Sequence, residues 1–188
     1  MNIDTDAPHS DGLDLAASVA KSLFVGRIVE ENLFPYPQID PDEVETLALV
    51  STSLDDFLQD NREDFAHWDR DSAQPAAFIQ SLRELGLFGL IIPGDFGGIG
   101  LSNAAYTRVV EQVSSYDSSI SLTVAAHSSI GLKGLLLFGT DEQKARYLPK
   151  LASGEMIAAF CLTESGAGSD AASVKTKAVK NRNGSWAL

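Results

Sequence analysis

The chain has 188 residues, of which 44% are hydrophobic, and a formal net charge of −12. This content is enough for one globular core and excludes a disordered polypeptide. Residues 1–71 carry 17 acidic and 4 basic side chains, whereas residues 72–188 carry 9 and 10, so the acidity belongs to the front of the chain and argues against nucleic acid or anionic lipid as its partner.

The first 20 residues contain four aspartates and no lysine or arginine. This composition fits neither a secretory signal nor an arginine-rich transit peptide, and we interpret residues 1–20 as an acidic disordered tail. No apolar run is expected to reach transmembrane length. The sequence therefore predicts a soluble, cytoplasmic chain.

Residues 21–155 are predicted to be mainly helical. Lys21–Ile39 ends in a proline-rich stretch that cannot continue as a helix, so we interpret it as a leading arm. From Asp42 to Asp60, apolar residues recur at helical spacing and acidic residues crowd the first turn, which predicts a helix. Asn61–Gln74 is polar without a clear period and is predicted to be a connection with at most a short helical turn.

Two apolar segments follow. Pro75 suits the first turn of a helix that Gly86 ends, and Leu87–Ile92 is a compact apolar run. Gly94–Leu101 contains four glycines and is predicted to be a tight irregular loop. Its spacing matches neither a dinucleotide-binding nor a Walker pattern, which argues against a phosphate site.

Three local signals define the next helices. Ser102 is a predicted N-cap, residues 120–138 are apolar on nearly every side as in a buried helix, and Thr140 with Gln143 predicts a capping box. His127 lies within the apolar stretch without a second histidine or a carboxylate beside it. We therefore predict a hydrogen-bonded core histidine rather than a catalytic one.

The hydrophobic period changes after residue 155. Met156–Leu162 is a continuous apolar run of strand length, Val174–Val179 reads as a second strand, and Asn183 with Gly184 predicts a hairpin turn. Cys161, the single cysteine, is predicted to be a small core residue without a disulfide or metal partner. These strands are too few for an independent sheet, so we expect an α+β chain that is truncated within its β part.

The end of the first predicted strand carries the candidate site. Thr163, Ser165 and Ser169 supply hydroxyl groups that both donate and accept hydrogen bonds, and Gly166 and Gly168 allow close approach of a ligand to the backbone. This combination suits a flat ligand with donors and acceptors along one edge. Taken alone, the pattern is more typical of an ordinary turn.

Several ordered blocks resemble the amino-terminal part of the acyl-CoA dehydrogenase family. Three of them are LGLFGLIIPGDFGGIGLS (Leu85–Ser102), GTDEQKARYLPKLASGE (Gly139–Glu155) and AAFCLTESGAGSDAAS (Ala158–Ser173). The segments LFVGRIVEENLFPYPQI (Leu23–Ile39) and AAHSSIGLKGLLLFGT (Ala125–Thr140) are similar to the very-long-chain branch. Ser165 stands where the family usually has proline.

The resemblance implies an all-helical domain, then a β-barrel domain, then a four-helix bundle. On that plan residues 21–155 are the helical amino-terminal domain with its leading arm, residues 156–188 begin the β domain, and the carboxy-terminal bundle is absent. The resemblance further implies that Phe160, Leu162 and Thr163 flank the isoalloxazine of FAD, and that Ser169 lies along the acyl-CoA.

The implied reaction oxidises long-chain fatty acyl-CoA to trans-2-enoyl-CoA. A carboxylate takes the α-proton while a hydride leaves the β-carbon. Neither Glu164 nor Asp170 is expected to be that base, because the family's catalytic glutamate lies in the carboxy-terminal bundle. These 188 residues are therefore expected to be inactive alone, and no metal is implied.

The family implies electron-transfer flavoprotein as the redox partner and a homodimer or homotetramer as the assembly. Peripheral membrane attachment is expected only through a carboxy-terminal region. Two other functions remain open: an acyl-CoA oxidase, in which oxygen reoxidises the flavin, and a helical interaction module without chemistry.

Overall fold

The computed structural model describes residues 18–188, and the chain divides into two compact units after Asp40. In the first unit, α1 (Val19–Phe24) begins at Ser18, whose hydroxyl accepts a hydrogen bond from the Lys21 amide at 3.4 Å. A 3₁₀ turn follows at Glu30–Asn32. Most of the predicted acidic tail, residues 1–17, lies outside the described residues.

The second unit is built mainly from helices, with a long irregular connection at residues 85–102 and a largely non-helical segment after residue 152. In chain order they are α2 (Pro41–Asp60), α3 (Arg62–Asp71), α4 (Ala76–Glu84), α5 (Asn103–Tyr116), α6 (Ser118–Ala126), α7 (Lys133–Phe138) and α8 (Asp141–Ala152). Shorter elements are 3₁₀ turns at Gly94–Phe96 and Ala171–Ser173 and a π-helical turn at His127–Gly131.

The predicted caps are confirmed. The Ser102 hydroxyl accepts a hydrogen bond from the Ala105 amide at the start of α5. Thr140 and Gln143 form the complete capping box of α8, with each side chain bonded to the other residue's backbone amide. Gly139 ends α7 as expected. These signals are local, because a cap needs only the residues within one turn of the helix end.

Helix α3 corrects the prediction of a connection at Asn61–Gln74. Its two aromatic residues, Phe65 and Trp68, lie three positions apart and therefore share one face of the helix. Both pack against Phe78 of α4, with ring centroids 5.9 and 4.6 Å away. This aromatic cluster stabilises a helix that is otherwise polar, which explains why the apolar period was too sparse to reveal it.

The apolar run after α4 lies in the core without forming a strand. Leu87, Phe88, Leu90 and Ile92 are all buried. The glycine-rich loop folds back along this run, and the Leu101 amide donates to the Leu90 carbonyl at 2.7 Å. The loop is irregular as predicted, and its own backbone supplies hydrogen-bond partners for the buried run.

The stretch Ser118–Phe138 corrects two expectations. Its side chains are not buried on every side, since Leu122 is 68% exposed and Phe138 is 85% exposed. It also has the length and mean hydropathy of a membrane span, 21 residues and 1.4, contrary to the expectation that no run would reach that length. The core helices of water-soluble proteins can share these two features.

The end of the chain is less regular than predicted. Residues 156–162 and 174–178 form no strand within the described residues, so the predicted strand Met156–Leu162 is wrong. The hairpin is confirmed: β1 (Val179–Lys180) pairs antiparallel with β2 (Trp186–Ala187) across the predicted turn. Cys161 is exposed, which corrects its assignment to the core.

Candidate functional site

The candidate site begins where the extended chain leaves the helical core at Ala158. The Ala158 amide donates a hydrogen bond to Nδ1 of His127 at 3.0 Å, and Nε2 of the same ring lies 3.0 Å from the Phe88 carbonyl oxygen. Because Nδ1 accepts a hydrogen bond, the ring proton is on Nε2 and is donated to Phe88. Burial lowers the pKa of His127, which favours this neutral form.

The prediction of a core histidine is therefore confirmed, since His127 is fully buried and hydrogen-bonded at both nitrogens. The Phe88 ring meets the imidazole edge to face, with centroids 5.2 Å apart. The contact between His127 and Ala158 could not be predicted, because the two residues are 31 positions apart and neither belongs to a motif that implies the other.

Beyond Ala158 the chain presents apolar side chains on the surface. Phe160 is 55% exposed and Leu162 is 43% exposed. The Thr163 side chain is exposed directly after them. The continuous apolar run that predicted a buried strand thus forms an exposed apolar strip that leads to a hydroxyl group.

A tight loop connects Thr163 to Ser169. The Glu164 amide donates to the Ala167 carbonyl at 3.0 Å, and the Ala167 amide donates to the Glu164 carbonyl at 3.2 Å. A Cβ atom placed on Gly168 would lie 3.9 Å from the Thr163 methyl carbon, so the two ends of the loop meet. The exposed hydroxyls of Thr163 and Ser169 thus lie at the two ends of one loop, where these ends come together. The loop directly follows the exposed apolar residues.

Glu164 closes the loop against the following segment. Its carboxylate accepts hydrogen bonds from the Lys175 amide at 3.0 Å and from the Thr176 amide at 2.7 Å. Hydrogen bonding to Thr176, and then to the Lys175 amide, lowers the pKa of Glu164. The carboxylate is therefore held as an anion by the Thr176 side chain and by the amides of Lys175 and Thr176, a role that the sequence did not reveal.

Asp170 is also engaged, because it accepts a hydrogen bond from the Ser173 hydroxyl at 2.5 Å. Both carboxylates next to the loop thus bind neighbouring backbone or side-chain groups. That neither is a catalytic base stays a prediction. Among residues 18–188, His, Cys, Asp and Glu side chains do not converge in groups of three that could bind a metal.

The family model described as "Acyl-CoA dehydrogenase, N-terminal domain" matches residues 45–155. The chain belongs to the acyl-CoA dehydrogenase family. The resemblance inferred from the sequence blocks is confirmed, and the matched range covers the helices α2 to α8 apart from the first residues of α2.

Curated relatives agree with the very-long-chain branch of the acyl-CoA dehydrogenases. The protein named "Very long-chain specific acyl-CoA dehydrogenase, mitochondrial" is 42% identical over 97% of the chain in Macaca fascicularis and 44% identical over 91% in Bos taurus. The chain spans 29% and 27% of the length of these two relatives.

A solved acyl-CoA dehydrogenase from Bacillus anthracis, described as complexed with FAD, is similar in fold. It has a TM-score of 0.63 and 34% sequence identity, and the match covers 78% of this chain and 26% of that one. The helical fold expected for the amino-terminal domain of an acyl-CoA dehydrogenase is thereby confirmed.

The sequence blocks of this acyl-CoA dehydrogenase chain meet around the Phe88 side chain. Phe88 comes from the first block and contacts His127 from the very-long-chain-like segment. Gly154 of the next block lies against the same ring, since a Cβ placed on it would be 2.7 Å from Cδ2 of Phe88. Ala158 of the last block completes the group through His127. Blocks that are separate in sequence thus form one packed junction beneath the site.

A cavity of about 460 Å³ lies elsewhere in the acyl-CoA dehydrogenase chain, between the end of α3 and the start of α6. Trp68, Gln74, Asp117 and Thr123 are among its lining residues. The four predicted site residues do not line it. The candidate site is consequently the exposed surface at the loop and is separate from this cavity.

Proposed function

We propose that this chain is the flavin-facing part of an FAD-dependent acyl-CoA dehydrogenase that oxidises long-chain fatty acyl-CoA to trans-2-enoyl-CoA. The observation that carries the proposal is the exposed surface from Phe160 to Ser169, on a chain that belongs to this family. Within the described residues, the hydroxyls of Thr163 and Ser169 are not hydrogen-bonded to protein groups. They are therefore available to a ligand.

The chemistry of this surface fits an isoalloxazine ring. Phe160 and Leu162 supply exposed apolar area for the flat face of the ring, and Thr163 supplies a hydroxyl for its polar edge. A Cβ placed on Gly166 would meet no atom within 4 Å, so the loop is open on that side. Bound FAD would supply the acceptor for the hydride that leaves the β-carbon of the thioester.

In this proposal the chain binds and orients rather than transfers the α-proton. Ser169 hydrogen-bonds the acyl-CoA beside the loop neck. Glu164 and Asp170 hold the loop, because their carboxylates already accept hydrogen bonds from Thr176 and Ser173. We infer that the catalytic base is a glutamate of the carboxy-terminal bundle, outside these 188 residues.

The partners follow from the same proposal. We infer electron-transfer flavoprotein as the electron acceptor and a homodimer or homotetramer as the assembly. The curated relatives are named as mitochondrial proteins. The cytoplasmic location expected from residues 1–20, and any peripheral membrane contact, remain predictions for this chain.

The test is flavin reduction by substrate in the protein purified at its natural length. We expect a yellow protein whose flavin band bleaches anaerobically on addition of palmitoyl-CoA and much less on addition of butyryl-CoA. A colourless protein would contradict the flavin proposal and favour a helical interaction module. Rapid peroxide formation in air with product bound would favour an acyl-CoA oxidase.

Single substitutions then test the residues. Thr163→Val keeps the shape of the side chain and removes its hydroxyl, so we expect flavin binding weaker by roughly fivefold to tenfold, the effect of about one hydrogen bond. Ser169→Ala is expected to raise the KM for acyl-CoA with little change in flavin content. Ser165→Ala, on the same loop, is the matched control and should leave both quantities unchanged.

A further inference from the structure

The imidazole of His127 joins two backbone segments that are far apart in sequence. Its two nitrogens bind the Phe88 carbonyl and the Ala158 amide, 39 and 31 positions away. The ring is fully buried, and the Phe88 side chain packs against it. One side chain thus links the core loop after α4 to the chain that leads into the candidate site.

The turn that carries His127 lies in close contact with the chain at Ala158. His127–Gly131 is a π-helical turn in which the Leu132 amide donates to the His127 carbonyl at 2.9 Å. Such single turns within helices are frequent at functional sites. A Cβ placed on Gly131 would lie 2.7 Å from Cβ of Ala158, so the extended chain crosses the turn in direct contact with this glycine.

The Ala158 amide makes the last backbone hydrogen bond before the segment from Phe160 to Thr163. In the described chain, the next backbone hydrogen bond is that of the Glu164 amide, which belongs to the loop itself. Phe160 follows Ala158 by two residues, a span of at most about 7 Å of extended chain. The position of Phe160 therefore depends on how Ala158 is held.

We propose that His127 is a positioning residue for the flavin-binding segment. Through its hydrogen bond to Ala158, it holds the strip from Phe160 to Thr163 in the place where the isoalloxazine would contact it. This inference rests on the function proposed above, and it assigns to a buried side chain a role in cofactor binding without direct contact to the cofactor.

Two substitutions separate the two hydrogen bonds of His127. His127→Gln puts an amide nitrogen near the position of Nε2, which keeps a donor for Phe88 and removes the acceptor for Ala158. His127→Asn puts an amide oxygen near the position of Nδ1, which keeps the acceptor and gives up the Phe88 bond. Each variant therefore loses one of these two hydrogen bonds, and urea unfolding of both variants separates a loss of stability from a loss of position.

The measurements are hydrogen exchange of the peptide that contains Ala158, the flavin dissociation constant, and the flavin absorption spectrum, all on the natural-length protein. For His127→Gln we expect faster exchange at Ala158, a shifted flavin band and a dissociation constant raised roughly tenfold. His127→Asn should stay close to wild type in all three. Equal losses in both variants, in step with their stability, would overturn the proposal.

A glycine pair provides a second test if the histidine variants do not fold. Gly131→Ala pushes its new methyl group against Ala158, whereas Gly134→Ala, in the adjoining helix, meets no atom within 4 Å. We expect weakened flavin binding for Gly131→Ala only, and equal binding by the two variants would overturn the proposal.

These experiments also distinguish the inference from the function on which it rests. If the wild-type protein binds no flavin, the proposed function fails. Faster exchange at Ala158 in His127→Gln would then still show that His127 holds the segment, whereas unchanged exchange would refute the holding role itself.

Discussion

Alanine substitutions at three glycines in the loop after α4 can distinguish two causes of instability. One is a steric clash of the added methyl group, and the other is a left-handed backbone conformation. At Gly98, an added Cβ would lie 2.0 Å from the Ile92 carbonyl oxygen and 2.6 Å from the Ile92 carbonyl carbon. Ordinary carbon-to-oxygen contacts are about 3.3 Å or longer, so the backbone must move by more than about 1 Å. Gly97 has φ of +81° and open space, and Gly94 has open space without a left-handed φ.

The expected costs of alanine follow from these environments. Gly98→Ala forces overpacking worth about 1–3 kcal/mol, and it also strains the loop hydrogen bonds, which adds about 1 kcal/mol. The sum is ~2–4 kcal/mol, or a decrease in Tm of roughly 4–16 °C for a domain of this size. Gly97→Ala should cost only about 1–2 kcal/mol for the left-handed conformation. Gly94→Ala should change stability by less than about 0.5 kcal/mol.

The assay is urea unfolding of the three variants beside wild type, followed by circular dichroism. We expect Gly94→Ala to be the most stable of the three variants, Gly97→Ala to be intermediate and Gly98→Ala to be the least stable. If Gly98→Ala unfolded within about 1 kcal/mol of Gly94→Ala, the close approach to Ile92 would not be a real constraint. If Gly97→Ala were the least stable, backbone conformation rather than contact would dominate this loop.

Three further predictions concern single side chains. Because burial holds the pKa of His127 below its ordinary value of 6.5, the unfolded chain gains a proton before the folded chain as the pH falls. The free energy of unfolding should therefore decrease below about pH 6.5, by at most ~1.4 kcal/mol per pH unit, and urea titrations should show a smaller decrease in His127→Gln. Glu164→Gln should speed hydrogen exchange of the Thr176 amide, measured by NMR, because the carboxylate that accepts its hydrogen bond is lost. In the wild type, the Thr176 amide should be protected from exchange at pH values above the lowered pKa of Glu164, and this protection should disappear as the pH falls through that pKa. Thr140→Ala should lower the free energy of unfolding, measured in urea, by about 1 kcal/mol because it removes the α8 cap, whereas Thr140→Ser should lower it little. If Thr140→Ser were less stable than Thr140→Ala, the hydroxyl that accepts from the Gln143 amide would not be the stabilising feature.

The sequence predicted the features that depend on neighbouring residues. Ser102, Gly139 and Thr140 mark helix ends through contacts within one turn, and the hairpin turn at Asn183 and Gly184 is equally local. These predictions are confirmed because their physical cause lies within a few residues of the signal.

The errors arose where distant contacts decide the structure. The aromatic face of α3 is stable only because Phe78 of another helix completes the cluster. Met156–Leu162 has the composition of a buried strand, but within the described residues there is no neighbouring strand to pair with it. The roles of His127 and Glu164 likewise depend on amides 31 and 12 positions away, which no local pattern encodes.

The residues of the candidate site remain predictions with a physical basis. The sequence indicated that Thr163 and Ser169 would emerge together at the mouth of a strand, and the structure brings them to the two ends of a loop instead. Phe160 and Leu162 are exposed beside that loop. Their contacts with a flavin await the binding experiments.

The π-helical turn at His127–Gly131 places a constraint on the length of the chain. The π-helical turn already holds about one residue more than an α-helical turn, and each residue of an α-helix advances the side chains by about 100°, so one further residue in this turn would rotate all of α7 by that angle. Leu132, now buried, would then turn away from the core. The exposed side chains of Ser129 and Ile130 are free to vary in type, but the number of residues between α6 and α7 is not. Insertions should therefore be rarer in this turn than the exposure of Ser129 and Ile130 suggests.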